Sequence, residues 1–285
     1  MIIKFREQPA SFAGYESLLR RLPSGHPKIP FVLESLTQTR AGFGGECRLD
    51  ELLEFFCPPY PYVMLQGVSL PEKCQIDTMI VTQSCVILLE VKNISGLTRY
   101  TQQPSGFHKV LPSGEVRGMK SPLVQVENAK FKVERLLKRL DAPLPIFTAI
   151  VVAYPSQLVE GAPAGANIWR AEEALVRLTT MPLPPVKISA DEMVRLSERL
   201  AALDSEFVPF PLAPRFQVST KELLTGVFCP YCEMHKMKRL ARSWICRMCE
   251  RSIKGLDERI LDEWFMLVGP TITTKECLDF LNSRI

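Results

Sequence analysis

The sequence predicts an α/β fold, a mixed central sheet flanked by helices, with a small cysteine-bearing module after it. Three observations predict this. Apolar, β-branched runs of strand length alternate with segments of helical spacing. A proline-rich stretch, EFVPFPLAPRF (206–216), follows them. Beyond it, four cysteines fall in two close pairs. The expected organisation is a large domain over 1–205, a linker over 206–218 and a compact tail over 219–285.

The elements follow in chain order. ESLLRRL (16–22) has helical leucine spacing and ends at Pro23, Ser24 and Gly25. FVLESLTQTR (31–40) reads as a further helical piece. GFGGE (42–46) then opens a separate amphipathic helix, with Leu49, Leu52, Leu53 and Phe56 on one face and Glu46 in its first turn. Prolines 58, 59 and 61 end it. YVMLQGVSL (62–70), IDTMIVT and CVILLEVK read as strands, the last two joined near Gln83 and Ser84. The polar stretch from Gly96 to about residue 120 predicts more strands. A helix begins at Pro122, its stripe formed by Val126, Ala129, Val133, Leu136, Leu137 and Leu140. FTAIVVAY (147–154) is a buried strand. Ser189 and Glu192 form a capping box before a helix to about Leu203.

Bulk composition excludes little. The net charge of +4 is compatible with nucleic acid and equally with an ordinary soluble protein. The first residues have no secretory-signal pattern, and no apolar run is long enough to cross a bilayer. A cytoplasmic protein without a membrane partner is expected. Cys47, Cys57, Cys74, Cys85 and Cys277 stand among apolar residues and read as small buried hydrophobes in a reducing compartment.

Charge in the central hairpin, CQIDTMIVTQSCVILLEVK (74–92), is harder to place. Strand alternation sends Glu90 and Lys92 to one side and Val91 into the core. A turn at 83 and 84 sets Asp77 roughly opposite Glu90. Two carboxylates and an ammonium then meet at the sheet's end. Carboxylates with backbone carbonyls and water suit a hard cation such as Mg2+ or Mn2+. A neighbouring lysine can stabilise charge developing on a phosphate. The plainer alternative is an ion pair between Glu90 and Lys92 on an edge strand, which contributes little.

The spacing Asp-x12-Glu-x-Lys on consecutive strands resembles the PD-(D/E)xK phosphodiesterase superfamily. GFGGE, then QID, then EVKNISG more closely resembles its nuclease-related domain (NERD) family, over about residues 10 to 155. The resemblance implies a Mg2+-dependent nuclease acting on nucleic acid, with DNA expected ahead of RNA. It implies Asp77 and Glu90 as metal ligands, Lys92 as the catalytic lysine, Glu46 as an accessory acid at the rim and Gln75 as a neighbouring polar residue. SPLVQ (121–125) is similar to the family's NPxxQ segment and nominates Gln125, with Ser121 where the asparagine usually stands. The rival reading is a non-catalytic nucleic-acid-binding or assembly module on a nuclease scaffold.

CPYC (229–232) and CRMC (246–249) give C-x2-C-x13-C-x2-C. Thiolates of Cys229, Cys232, Cys246 and Cys249 from two turns can surround a structural Zn2+, as in a zinc ribbon. The competing reading, two redox CxxC motifs, lacks a thioredoxin-like context. His235 is a bystander. From Arg215 to Arg259 ten Lys and Arg stand against five Asp and Glu. The run HKMKRLAR (235–242) is either a solvated face or a phosphate-binding strip. Trp244 and Trp264 read as core. GMKS (118–121) lacks the glycine–lysine adjacency of a phosphate loop. His26, His108 and His235 form no recognisable triad.

Overall fold

A computed structural model describes residues 1–285 except 72, 206–207, 233–234 and 283–285. The elements run β1 (Ile2–Lys4), α1 (Ser11–Arg21), α2 (Ile29–Leu53), β2 (Tyr62–Leu70), β3 (Cys74–Thr82) and β4 (Val86–Lys92). Next come β5 (Leu97–Gln102), β6 (Ser105–Val110), β7 (Val116–Met119), α3 (Pro122–Arg139), β8 (Ile146–Val152), β9 (Leu158–Glu160) and β10 (Ile168–Arg170). The chain continues with α4 (Ala171–Thr180), α5 (Ala190–Ala202), α6 (Leu212–Arg215), β11 (Lys238–Arg239), β12 (Trp244–Ile245) and β13 (Ser252–Ile253). It ends with α7 (Leu256–Leu267) and α8 (Thr274–Leu281). Two compact units result: Met1–Gln8 with Ala41–Phe207, and Pro9–Arg40 with Val208–Ile285.

The first unit is the α/β body that the strand pattern predicts. Its six-stranded sheet has the order β1-β2-β3-β4-β8-β10. The pairs among β2, β3 and β4 are antiparallel, whereas β4 pairs β8, and β8 pairs β10, in parallel. Alternation gives the sheet two apolar faces. Met79, Val81, Val86 and Leu88 pack on one side with Val133, Leu136 and Leu137 of α3 and Met193, Leu196 and Leu200 of α5. Ile80, Ile87, Leu89 and Val91 pack on the other with Leu49 and Leu53 of α2 and Ala171, Ala174 and Leu178 of α4. The α5 start is fixed by the expected capping box of Ser189 and Glu192. A second sheet, β7-β6-β5-β9, takes three strands from the polar stretch after Gly96 and its fourth from the segment after β8.

Two local readings are corrected. GFGGE does not open a separate helix. The residues from Ile29 to Leu53 form one continuous helix, with Gly42, Gly44, Gly45 and Glu46 in its interior. Glycine is unfavourable there by roughly 1 kcal/mol each. At Gly45 close packing explains the residue: an added Cβ would lie 2.8 Å from the Asn93 Cβ and 3.2 Å from the Ala153 Cβ. The helix thereby approaches the ends of β4 and β8. The second correction concerns the scattered cysteines. Cys74 and Cys85 are buried, but Cys57 is exposed and Cys47 and Cys277 are half-buried. All nine are free.

The second unit gathers segments from both ends of the chain. Leu18, Leu22 and Val32 pack with Leu212, Ala213, Val218, Leu223 and Leu267. Residues 9–40 therefore belong with the tail and not with the α/β body, contrary to the expected 1–205 boundary. The expected linker (206–218) is only partly extended. Residues 206 and 207 lie outside the described residues, and Leu212 and Ala213 of the short α6 are buried in this core. Arg21 is fully buried and pairs with Glu263 at 2.6 Å, while its Nη1 donates to the Leu224 carbonyl at 2.8 Å. A buried charge so paired is costly to break from one side. Trp244 and Trp264 are core residues, as expected.

Candidate functional site

The site begins with an irregularity in strand alternation. Met79 and Val81 of β3 face one core, and so do Ile76 and Cys74, two residues of the opposite parity. The facing strand behaves likewise: Val63 and Leu65, then Val68 and Leu70, share that core. The slip falls at Gly67, whose φ of +62° favours glycine, and at Asp77. Asp77 thus leaves the ordinary ladder while staying buried, at 8 % exposure.

Thr78 pairs with Leu89, a register that carries Asp77 to the level of Glu90, as the turn position predicts. Asp77 Oδ2 accepts the Val91 backbone N–H at 2.7 Å. Val91 points into the core, and Lys92 Nζ donates to Glu90 Oε1 at 2.5 Å. Burial pushes the Asp77 carboxyl well above its usual range, and the charges of Glu90 and Glu46 push it further. The Val91 N–H and Lys92 pull the other way without prevailing.

Glu46 joins from α2. Its Oε2 lies 2.6 Å from Arg6 Nη1. Arg6 also donates from Nε to Asp50 Oδ2 at 2.6 Å, and from Nη2 to the Asp77 carbonyl at 2.6 Å. Only 5 % of the Arg6 side chain is exposed. Burial works against its charge, but Asp50, Glu46 and Asp77 outweigh that and raise its pKa. Glu46 and Asp50 are also raised, first by burial and despite Arg6. The arginine gains from the cluster, while the acids stay short of full compensation. Gly67 makes room for it, since a Cβ there would meet Arg6 Nη1 at 3.2 Å.

Asn93 closes the strand end against the helix. Its Nδ2 donates to the Ala41 carbonyl at 2.7 Å, and its Oδ1 accepts from Gln157 Nε2 at 3.1 Å. Reading the sequence missed Arg6, Asp50, Asn93 and Gln157 as parts of this region. Asp50 had a signal, since it lies one turn after Glu46 on the same helix face. Gln75 and Gln125 are both exposed, and neither side chain hydrogen-bonds a carboxylate of the cluster among the described residues. Gln75 shares β3 with Asp77, and Gln125 lies in the first turn of α3.

Residues 41–153 match the family model of the nuclease-related domain. The chain carries a nuclease-related domain. No curated protein and no solved structure matches the chain. The matched residues include Glu46, Gln75, Asp77, Glu90, Lys92 and Gln125, whereas Arg6 lies before them. The charge partner of Glu46 and Asp50 therefore comes from outside the match.

Oxygen donors at the strand ends are those a hard cation takes. The like-charge crowding that raises Asp77 is what a bound cation would relieve. Among the described residues, though, only the cysteines bring three or more ligand atoms within 4.8 Å of one another. In the carboxylate cluster Lys92 engages Glu90 and Arg6 engages Glu46.

The four cysteines form a candidate metal centre in the second unit. Cys229, Cys232, Cys246 and Cys249 have all ligand atoms within 4.8 Å, as the spacing predicts. Two hairpin turns place them: the Cys229 N–H donates to the His235 carbonyl at 2.9 Å, and the Cys246 N–H to the Arg251 carbonyl at 3.0 Å. Strands β11, β12 and β13 complete a three-stranded ribbon. Backbone N–H groups of Cys249 and Met248 bring Cys246 down to about 7, while the hydrogen bond with Cys249 pushes Cys232 up to about 12. Four sulfur donors suit Zn2+. No described helix is long and apolar enough to cross a membrane.

Proposed function

We propose that the nuclease-related domain hydrolyses phosphodiester bonds of nucleic acid with the help of Mg2+ or Mn2+, with DNA the first substrate to test and RNA the second. The observation that carries this reading is the buried Asp77 carboxylate of β3, crowded by Glu90 of β4 and Glu46 of α2. A core has no use for such crowding, since it raises the cost of burial. A bound divalent cation would polarise the scissile phosphate and activate a water.

The chain's own residues divide the remaining work. Asp77 and Glu90 hold the cation, and the Val91 N–H fixes the Asp77 carboxylate for it. Lys92 exchanges its contact with Glu90 for the charge that develops on the phosphate in the transition state. Glu46 is positioned by Arg6 and sets the local field. Gln75 and Gln125 lie exposed on β3 and α3 and meet the flanking strand. In the second unit, Zn2+ is structural, and Lys236, Lys238, Arg239 and Arg242 offer phosphate contacts. Cysteines that form no disulfide among the described residues fit a reducing compartment, and we place the protein in the cytoplasm.

One observation favours a second reading, a nucleic-acid-binding or assembly module without catalysis. Lys92 and Arg6 already neutralise two of the three carboxylates. Incubating the purified protein with plasmid, linear DNA and RNA in Mg2+, Mn2+ or EDTA separates the two. The nuclease reading expects cleavage that EDTA stops. Binding without cleavage in either metal leaves the second reading.

A further inference from the structure

We propose that the cleft running from Lys92 to Arg170 receives one unpaired nucleotide beside the scissile phosphate, so that the substrate is a single strand or an unwound end. This rests on the nuclease reading and adds to it the class of nucleic acid.

Strand register sets the cleft. Lys92 pairs with Val152, and Val152 with Arg170. One row earlier, Glu90 pairs with Ile150, and Ile150 with Ile168. Residues in register on adjacent parallel strands point to the same face, so the charged ends of β4 and β10 share one surface. Neighbouring strands lie about 4.8 Å apart, which puts the Lys92 and Arg170 backbones about 10 Å from each other. Between them lies Val152, which with Ile168 lines the apolar floor of the outer lobe.

The second sheet supplies the opposite wall. Thr98, Tyr100, Phe107 and Val159 close over the inner end beside Lys92, where the space is narrow. The outer end opens to about 360 Å³ among Val159, Ala162, Ala166, Ile168, Arg170 and Arg177. That volume suits a ligand of nucleotide size. It does not take a base pair with both backbones. Val152, Gln157, Val159 and Ile168 line both lobes, so the two adjoin.

Charge is arranged for an anionic strand. Lys92 stands at one end, and Arg170 and Arg177 at the other. Arg170 Nη1 donates to the Pro155 carbonyl at 2.9 Å, which aims the guanidinium and leaves further N–H donors for a phosphate. Arg177 is held by Glu173 at 3.2 Å, the one acid among the described residues lining the outer lobe. Sugar and base then lie on the apolar floor, and successive phosphates meet Lys92 and Arg170. Sequence-tolerant single-strand grooves combine apolar contact with a basic track in this way.

The test uses the full-length protein in EDTA, where binding is read without cleavage. A labelled short single-stranded oligonucleotide and its duplex are titrated by anisotropy. Wild type, Arg170→Ala and Ala162→Trp are compared. The first variant removes the phosphate contact, and the second fills the outer lobe from an exposed position. Arg170→Ala should weaken single-strand binding by roughly tenfold, the loss of one charge-assisted hydrogen bond, Ala162→Trp should weaken it by occluding the lobe, and both should leave duplex binding unchanged. Wild-type affinity in both variants, or a preference for duplex, overturns the cleft. Failure of the nuclease reading looks different: no cleavage in any metal, with the two variants still losing single-strand affinity.

Discussion

The guanidinium of Arg6 lies 2.6 Å from the carboxylate of Glu46, forty residues later in the chain. The same group grips Asp50 and the Asp77 carbonyl. Removing it strands two largely buried carboxylates. Arg6→Ala should therefore cost roughly 3 kcal/mol, the scale for breaking a buried pair from one side. Arg6→Lys keeps the charge but not the planar fork, and should recover only part of the loss. Urea unfolding of both variants measures this. A cost below about 0.5 kcal/mol for Arg6→Ala would mean the cluster is a solvated surface pair.

Gly45 and Gly44 should respond oppositely to alanine. At Gly45 the new Cβ would sit 2.8 Å from Asn93, so the helix must retreat from the strand ends. The expected cost is about 1–3 kcal/mol, with activity reduced as well. At Gly44 nothing lies within 4 Å of the added atom. There alanine should stabilise the helix by about 0.5–1 kcal/mol. Equal effects at the two positions would remove close packing as the reason for the motif.

Asp77→Asn should stabilise the metal-free protein at neutral pH. Burial raises the folded-state pKa of Asp77, so the folded protein holds its proton more tightly than the unfolded chain does. Folding is favoured by that proton at low pH, and the benefit is lost as pH rises through the folded value. Asparagine stays neutral and still accepts the Val91 N–H. Its melting temperature should exceed that of wild type at neutral pH, and the gap should close on acidification. A lower melting temperature at neutral pH would contradict the assigned direction.

The zinc ribbon should contain one Zn2+ per chain by metal analysis. Cys246→Ser, or a strong chelator, should unfold the ribbon, because structural zinc contributes on the order of 10 kcal/mol. The α/β unit has its own core and should keep its cooperative transition. Cutting the chain at the proline stretch is the wrong test, since it would uncover Leu18, Leu22 and Val32. A chain free of zinc that melts as before would reject the ribbon's metal.

Much of this was legible because it depends on local periodicity. Alternation in β4 placed Glu90, Val91 and Lys92 correctly, and the turn at 83 and 84 gave the register. Cysteine spacing gave the ribbon, and Ser189 with Glu192 gave a helix start. What stayed hidden depends on tertiary approach. Three glycines in a row of four argued for a break by propensity, yet α2 continues because Gly45 packs on Asn93 and Leu49 and Leu53 are buried. Arg6 sits in an unremarkable FREQ context, and only the folded chain brings it to Glu46. Strands of three residues, such as β9 and β10, are too short to show a period, so the cleft wall carrying Arg170 left no trace. Helix α4 had a readable stripe in Ala171, Ala174 and Leu178, which the reading passed over.

The most direct measurement is single-turnover cleavage of a labelled nucleic acid at saturating Mg2+ by wild type, Asp77→Asn, Glu90→Gln and Lys92→Met, with binding measured alongside. Each variant should fold and bind, and each should lose at least about a hundredfold in rate, as expected when a group acting on transition-state charge is removed. Cleavage at the wild-type rate by any of the three would place the chemistry elsewhere.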